Sequence, residues 1–300
     1  DTNSEIGLFD EATCTYSTIV NSSCLNFKRS HLITGAARYT FECTNKVYWS
    51  DGLNPDRVLD IDNVPWVQSC TIVDGCKTCT DTNVLDCDKL RIAPLLDLPC
   101  LKLTKGVGSG TLPNGTYQVA VAYAVNEIRV TDYVMVSNPV RIWSQQGVAG
   151  SITLNVTNTD SEFDEIEVVV ISTVAGQTVA KRLGIYSSRQ EIIYIDTVDP
   201  TLGTVSLSSI SLQTPAIEKA DKMFAVNEYL LRSGIYSKVD FNYQPLANKI
   251  VAKWEAVQYP ADYYHKGGEN VGYMRDEVYA FFIRWVYNTG EKSASYHIHG

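Results

Sequence analysis

Between residues 100 and 212, short runs of alternating apolar and polar residues are separated by turn formers. This period of two constrains the fold more than any other feature. In Thr116–Val125 (TYQVAVAYAV), Tyr117, Val119, Val121, Tyr123 and Val125 fall on one side. Residues two apart share a strand face, so this run reads as a strand. After a short turn at Asn126-Glu127 come Ile128–Val136, Asn138-Pro139, and then Val140–Trp143. Ser151–Val156, Glu165–Thr173, Val179–Ile185 and Glu191–Asp196 complete the set. About seven short strands with turns every 8–12 residues is the pattern of an immunoglobulin-like or fibronectin-III-like sandwich. No cysteine lies within 101–212, so the disulfide-and-Trp pin of antibody domains is absent and the fibronectin-like variant is favoured.

The flanks read as sheet too. Arg38–Glu42 and Lys46–Trp49 are neighbouring strands with Thr44-Asn45 near their turn. Trp49-Ser50-Asp51-Gly52-Leu53-Asn54-Pro55 follows, dense in turn formers, and Val58–Ile61 restarts an extended run. Residues 69–89 are rich in Cys, Asp and Thr and read as a loop or small knot. Beyond the sandwich, Phe224–Leu231 and Ser233–Lys238 read as a strand pair, and Leu246–Trp254 as the one helix. Val278–Tyr287, the turn Asn288-Thr289-Gly290 and a strand from Lys292 read as a hairpin. Tyr279, Phe281, Ile283 and Trp285 share one face of it, but Ala280, Phe282 and Val286 sit beside Arg284 on the other. Both faces are therefore expected to be covered, with further sequence or a neighbouring subunit completing the hairpin. Aromatic sheet pairs on both sides of an inserted sandwich point to pieces of β-propeller blades, although no repeat of about 40 residues is visible.

Composition narrows the function. The 300 residues are 45% hydrophobic and 20% charged, with eighteen Tyr, which is globular and strand-leaning. The formal net charge of −9 argues against a surface built to grip nucleic acid, because such grip comes from Lys and Arg neutralising phosphates. It leaves room for a wall along which DNA slides. No run of about 18 apolar residues encodes a membrane span. The opening DTNSEIGLFDEA is acidic and polar, unlike a secretory signal, so the sequons at Asn21, Asn114 and Asn155 carry little weight.

All eight cysteines lie between Cys14 and Cys100, which marks a compositional boundary near residue 100. Cys70-x5-Cys76-x2-Cys79-x7-Cys87 contains one CxxC pair where a strong zinc signature has two. Zinc, disulfides and free thiols all remain open, with zinc the least favoured. His297-x-His299 places two imidazoles on one strand face, a metal edge without a neighbouring Cys, Asp or Glu; a surface strand at a subunit contact is favoured. Asp51, Asp56, Asp60 and Asp62 surround a Gly-Leu-Asn-Pro turn, but their spacing is not that of a calcium loop, so turn capping is expected. Arg57 is expected to pair locally. Asp276 and Glu277 are adjacent on a strand, so they point to opposite faces and cannot flank one glycosidic bond. Gly106–Gly110 lacks the Lys-Ser/Thr of a phosphate loop and reads as an entry linker. No nucleophile elbow or HExxH is present. The expectation is no enzyme, no catalytic residue, no metal and no cofactor.

Four stretches carry a resemblance, in order along the chain. They are Val47–Ile61 (VYWSDGLNPDRVLDI), Leu112–Tyr117 (LPNGTY), Arg275–Phe281 (RDEVYAF) and the Tyr-His-Ile element of Tyr296–Gly300. Together they resemble the nozzle, or muzzle, proteins of short-tailed bacteriophages, particularly the crAss-like phages of gut Bacteroidetes. Phe282 departs from the family, which is expected to have a small residue there. The family continues well past the Tyr-His-Ile element, so this chain is expected to be one piece of a longer protein.

The resemblance implies a virion protein of the phage tail. It implies a homo-oligomeric ring at the distal end, contacts with other tail proteins such as hub and fibres, and a closable exit through which DNA passes without sequence-specific binding. The expected fold is all-β, with β-propeller-type sheets and an inserted immunoglobulin/fibronectin-III-like sandwich. Residues 1–100 form the Cys-containing part of the propeller, 101–212 the sandwich, and 213–300 the returning propeller segment. The competing function is a carbohydrate-binding or adhesive β module.

Overall fold

The computed structural model describes residues 3–40, 43–73, 76–106, 110–143, 148–212, 214–237, 241–256, 258 and 278–299. The protein is mostly β-sheet, with two short α-helices among the described residues, Leu207–Ser211 and Gln244–Ala247, as the alternating pattern requires. No sheet closes on itself among the described residues. Contacts divide the chain into two compact units, Asp1–Leu95 with Pro215–Val239, and Leu96–Thr214 with Asp240–Gly300.

The second unit is built around the strand Gly115–Val125. It pairs along its length with Glu165–Val174, from Thr116↔Thr173 to Ala124↔Glu165. Its other edge is covered in turn by the short strands Val140–Ile142, Met135–Val136 and Ile128–Arg129. Glu165–Val174 then pairs with Gln177–Ser187, giving a seven-stranded sheet that ends at Thr204–Val205. A three-stranded sheet places Ile152–Thr157 between Cys100–Lys105 and Ile192–Ile195.

The two sheets meet across one core. Tyr117, Val119, Val121 and Tyr123 face Leu103, Leu154, Ile193 and Ile195. The opposite face of the central strand is covered as well. Ala120 and Ala122 pack with Val169, Tyr133 and Ile210 of the Leu207–Ser211 helix. A strand buried on both faces needs small residues on the tighter side, and the alanines in VAVAYA meet that requirement.

The first unit is a set of hairpins with a smaller core. A three-stranded sheet runs Thr34–Tyr39, Asn45–Ser50, Arg57–Asp60. Two-stranded hairpins are formed by Ser4–Asp10 with Thr15–Ser22, Trp66–Val73 with Cys76–Leu85, and Ile217–Val226 with Tyr229–Ser237. Among the described residues, Val20, Leu25, Trp49, Leu59, Leu85 and Leu90 form one buried cluster, and Ala220 and Met223 are buried as well.

Several expectations need adjusting. Residues 69–89 are not a loop or knot but mostly a long hairpin, with Cys70 opposite Cys79 in its backbone register. The pair read as Phe224–Leu231 and Ser233–Lys238 turns earlier, at Asn227-Glu228, and the strand runs straight through Ser233. The helix expected over Leu246–Trp254 is limited to Gln244–Ala247 and is not alone. In the last hairpin the regular pairing spans Phe281–Ile283 and Tyr296–Ile298, with a bridge at Val286↔Lys292. Its Tyr279, Phe281, Ile283 and Trp285 face is half-buried, but Phe282 and Val286 on the other face are exposed in this chain.

Candidate functional site

The stretch Trp49–Arg57 has the densest buried polar chemistry in the first unit. Ser50, Asp51, Asn54, Asp56 and Arg57 are all buried, which is unusual for such residues unless each is hydrogen-bonded. The turn comes from Asp51. Its Oδ1 accepts the amides of Leu53 (2.9 Å) and Asn54 (2.7 Å), closing an Asx turn in which Gly52 takes the left-handed φ of 67°. Asn54 Nδ2 then donates to Asp51 Oδ2 at 2.6 Å and to the Asn26 carbonyl at 3.2 Å. Arg57 donates to the Leu25 carbonyl at 2.9 Å and the Cys24 carbonyl at 3.0 Å. Burial pushes the Arg57 guanidinium below its ordinary range, the Asp51 charge opposing this.

Asp56 works in the other direction. Its Oδ1 accepts the Ala220 amide at 2.9 Å, and its Oδ2 accepts Arg232 Nε at 2.7 Å. Ser50 donates to the Ala220 carbonyl, Lys219 Nζ to the Gly52 carbonyl, and the Met223 amide to Thr34 Oγ1. The turn therefore grips the Cys24–Asn26 bend on one side and the Ile217–Val226 strand on the other, within one unit. Arg57 does not pair locally as expected: it donates to the Leu25 and Cys24 carbonyls, 32 and 33 residues away along the chain, while the partner of Asp56 is Arg232. That partner lies 176 residues away along the chain, and no local sequence signal marks it.

The Leu112–Tyr117 stretch is structural as well. In Leu112–Tyr117 the Tyr117 hydroxyl reaches back to the Pro113 carbonyl at 2.8 Å, fixing the entry to the central strand. Tyr123 donates to the Asp97 carbonyl and accepts the Asp160 amide at 2.8 Å, tying two loops to the core. Burial raises both phenols to about 12.

The remaining candidates do not converge on a reaction. Asp60 accepts the Asp62 amide and caps its turn as expected, whereas Asp62 accepts the Asn45 amide, 17 residues away at the start of the Asn45–Ser50 strand. Cys87 is disulfide-bonded to Cys24, which removes the fourth sulfur from the zinc reading, while Cys14, Cys43 and Cys100 are exposed thiols. The side chains of Cys70, Cys76 and Cys79 lie outside the described residues, as do Arg275, Asp276, Glu277 and residues 107–109 of the Gly-rich run. Among the described residues no three His, Cys, Asp or Glu side chains gather at metal distance. His297 and His299 are exposed and stack edge to face, their ring centroids 5.3 Å apart, with Phe282 against His297. Tyr243, Trp285 and Tyr296 pack their rings on one another, with centroids 4.7–5.9 Å apart, in the manner of a small core.

The muzzle protein of Bacteroides phage crAss001 is 26% identical over 303 residues, covering 92% of this chain but 21% of that protein. The chain thus spans about a fifth of the relative's length. A family profile described as crassvirus muzzle protein matches residues 5–216, most of the chain. The chain belongs to the crassvirus muzzle protein family.

Proposed function

We propose that this chain is part of a structural virion protein, a subunit of the tail nozzle ring that forms the distal DNA exit and takes part in retaining and ejecting DNA. The single observation that carries this reading is the family match over residues 5–216. The fate of the motif residues supports it. Asp51, Asn54, Asp56, Arg57 and Tyr117 direct their polar atoms to backbone groups, to one another and to Arg232. Side chains fixed in this way hold a shape and offer little to a substrate. A phage tail component with such a scaffold acts by being rigid.

On this reading the two-sheet body of residues 96–214 is an immunoglobulin/fibronectin-III-like sandwich inserted into propeller-type sheets. Homologous copies assemble into a ring in contact with other tail proteins. The net charge of −9 sets the chemistry of the passage. A lumen lined by Asp and Glu repels phosphate, so DNA moves through without the counterion release that would hold it. Electron cryo-microscopy of the assembled ring tests this directly. Carboxylates are expected to outnumber Lys and Arg along the channel wall, and a wall dominated by Lys and Arg would refute the reading.

A further inference from the structure

The disulfide Cys24–Cys87 closes 63 residues of chain, with Cα atoms 6.2 Å apart. It sits at a structurally sensitive place. Cys24 and Cys87 pack half-buried against the first unit's small core, beside Val20, Leu25, Leu85 and Leu90. Among the described residues that unit consists of one three-stranded sheet and three two-stranded hairpins, and a two-stranded hairpin is marginal alone. The bond joins the end of the Thr15–Ser22 strand to the chain just after the Cys76–Leu85 strand. It also lies next to a buried charge, because Arg57, 5% exposed, is held by the carbonyls of Cys24 and Leu25. A guanidinium so deeply buried needs those carbonyls in place. Whatever loosens the Cys24–Asn26 bend therefore loosens the Asp51–Arg57 turn as well.

We propose that this bond is a redox latch. The chain is made as a dithiol in the reducing cytosol of a bacterium and becomes locked after the particle leaves it. Disulfides are kept reduced in cytosol and persist outside the cell. A virion protein is made in the first setting and works in the second. The oxidant is a small-molecule disulfide, RSSR. One protein thiolate attacks it, giving a mixed disulfide and releasing RS⁻. The second protein thiolate attacks the protein sulfur of that mixed disulfide and releases the second RS⁻. The two electrons pass to RSSR, and the two thiol protons leave with the two RSH formed. Before locking, the first unit is pliable enough to be assembled; after locking, the bend, the turn and the two hairpins are fixed together.

The test uses the full chain in two buffers, one of reduced glutathione at a cytosolic poise and one of excess glutathione disulfide, with non-reducing peptide mapping and amide hydrogen exchange. Cys24 and Cys87 are expected as thiols in the first and linked in the second. On linking, exchange at Leu25, Leu59 and Leu85 is expected to slow ten-fold or more, up to about a thousand-fold for a loop of this length. Exchange in Gly115–Val125 is expected to stay the same. The same redox state in both buffers would overturn the proposal, and so would slowing of less than ten-fold at those amides. The variant C24S/C87S is expected to behave alike in both buffers. Because the wild-type comparison needs no substitution, the test stands even if that variant fails to fold.

Discussion

At the scale of single residues the account turns on Asp56. Its carboxylate is buried and held by the Ala220 amide and by Arg232, itself largely buried. Arg232→Ala leaves that charge without its cation, so the first unit is expected to lose about 3–5 kcal/mol in urea unfolding. The pair replaced together, Asp56→Asn with Arg232→Met, is expected to recover most of that loss, since both buried charges are then gone. The sequence shows half of this site. Asp51 beside Gly52 announces a turn because its side chain reaches the amides two and three residues ahead. The other half is tertiary, and Arg232 looks like any strand arginine until the chain has folded.

The buried tyrosines give a second residue-scale test. Burial lifts the Tyr117, Tyr123 and Tyr133 phenols to about 12, above an unfolded value near 10. A raised folded value means their contribution is fully present below pH 10 and is lost as pH rises toward 12. Ultraviolet titration should show a set of tyrosines ionising only near pH 12, with the second unit losing stability over the same range. Ionisation of all tyrosines near pH 10 in the folded protein would contradict this burial.

At the scale of elements, hairpin turns were unevenly legible: Asn126-Glu127 was read as a turn and Asn227-Glu228 was not. Asn227-Glu228 forms the turn of the Ile217–Val226 hairpin with φ of 46° and 68°, and Asn126-Glu127 repeats the geometry at 50° and 64°. Turns of this kind favour Asn-Gly, and with Glu in second place the signal is weak. Gly234 pulls the reading the other way. It takes φ of 63° inside a strand, where a Cβ would lie 2.2 Å from Asp221 Oδ2. It marks a close approach in the sheet and imitates a turn. Glu228→Gly is therefore expected to raise thermal stability by about 0.5–1 kcal/mol, and Ala175→Asn, at φ 50°, to do likewise. Gly234→Ala is expected to destabilise, and differential scanning calorimetry separates the signs. By contrast, the central strand was plain in the sequence, because a two-residue period of Val and Tyr leaves one choice of face. The last hairpin was legible in its turn but not in its cover, since Phe282 and Val286 stand exposed in this chain and sequence cannot name what lies over a face.

At the scale of the whole molecule, the all-β character followed from composition and period. The family followed from four short stretches, at least two of which, Trp49–Arg57 and Leu112–Tyr117, are corners of the scaffold. Motifs of this kind have a demanding geometry, which suits them to identify a lineage. The central proposal is thus one of place and rigidity: we propose that this chain is architecture in the tail of a phage particle. Gold-labelled antibody against the exposed Ser4–Ser22 hairpin, applied to purified particles and viewed by electron microscopy, tests it most directly. The account predicts gold at the free end of the tail, with several labels around one ring. Gold over the capsid, or particles that carry none of the chain, would contradict it.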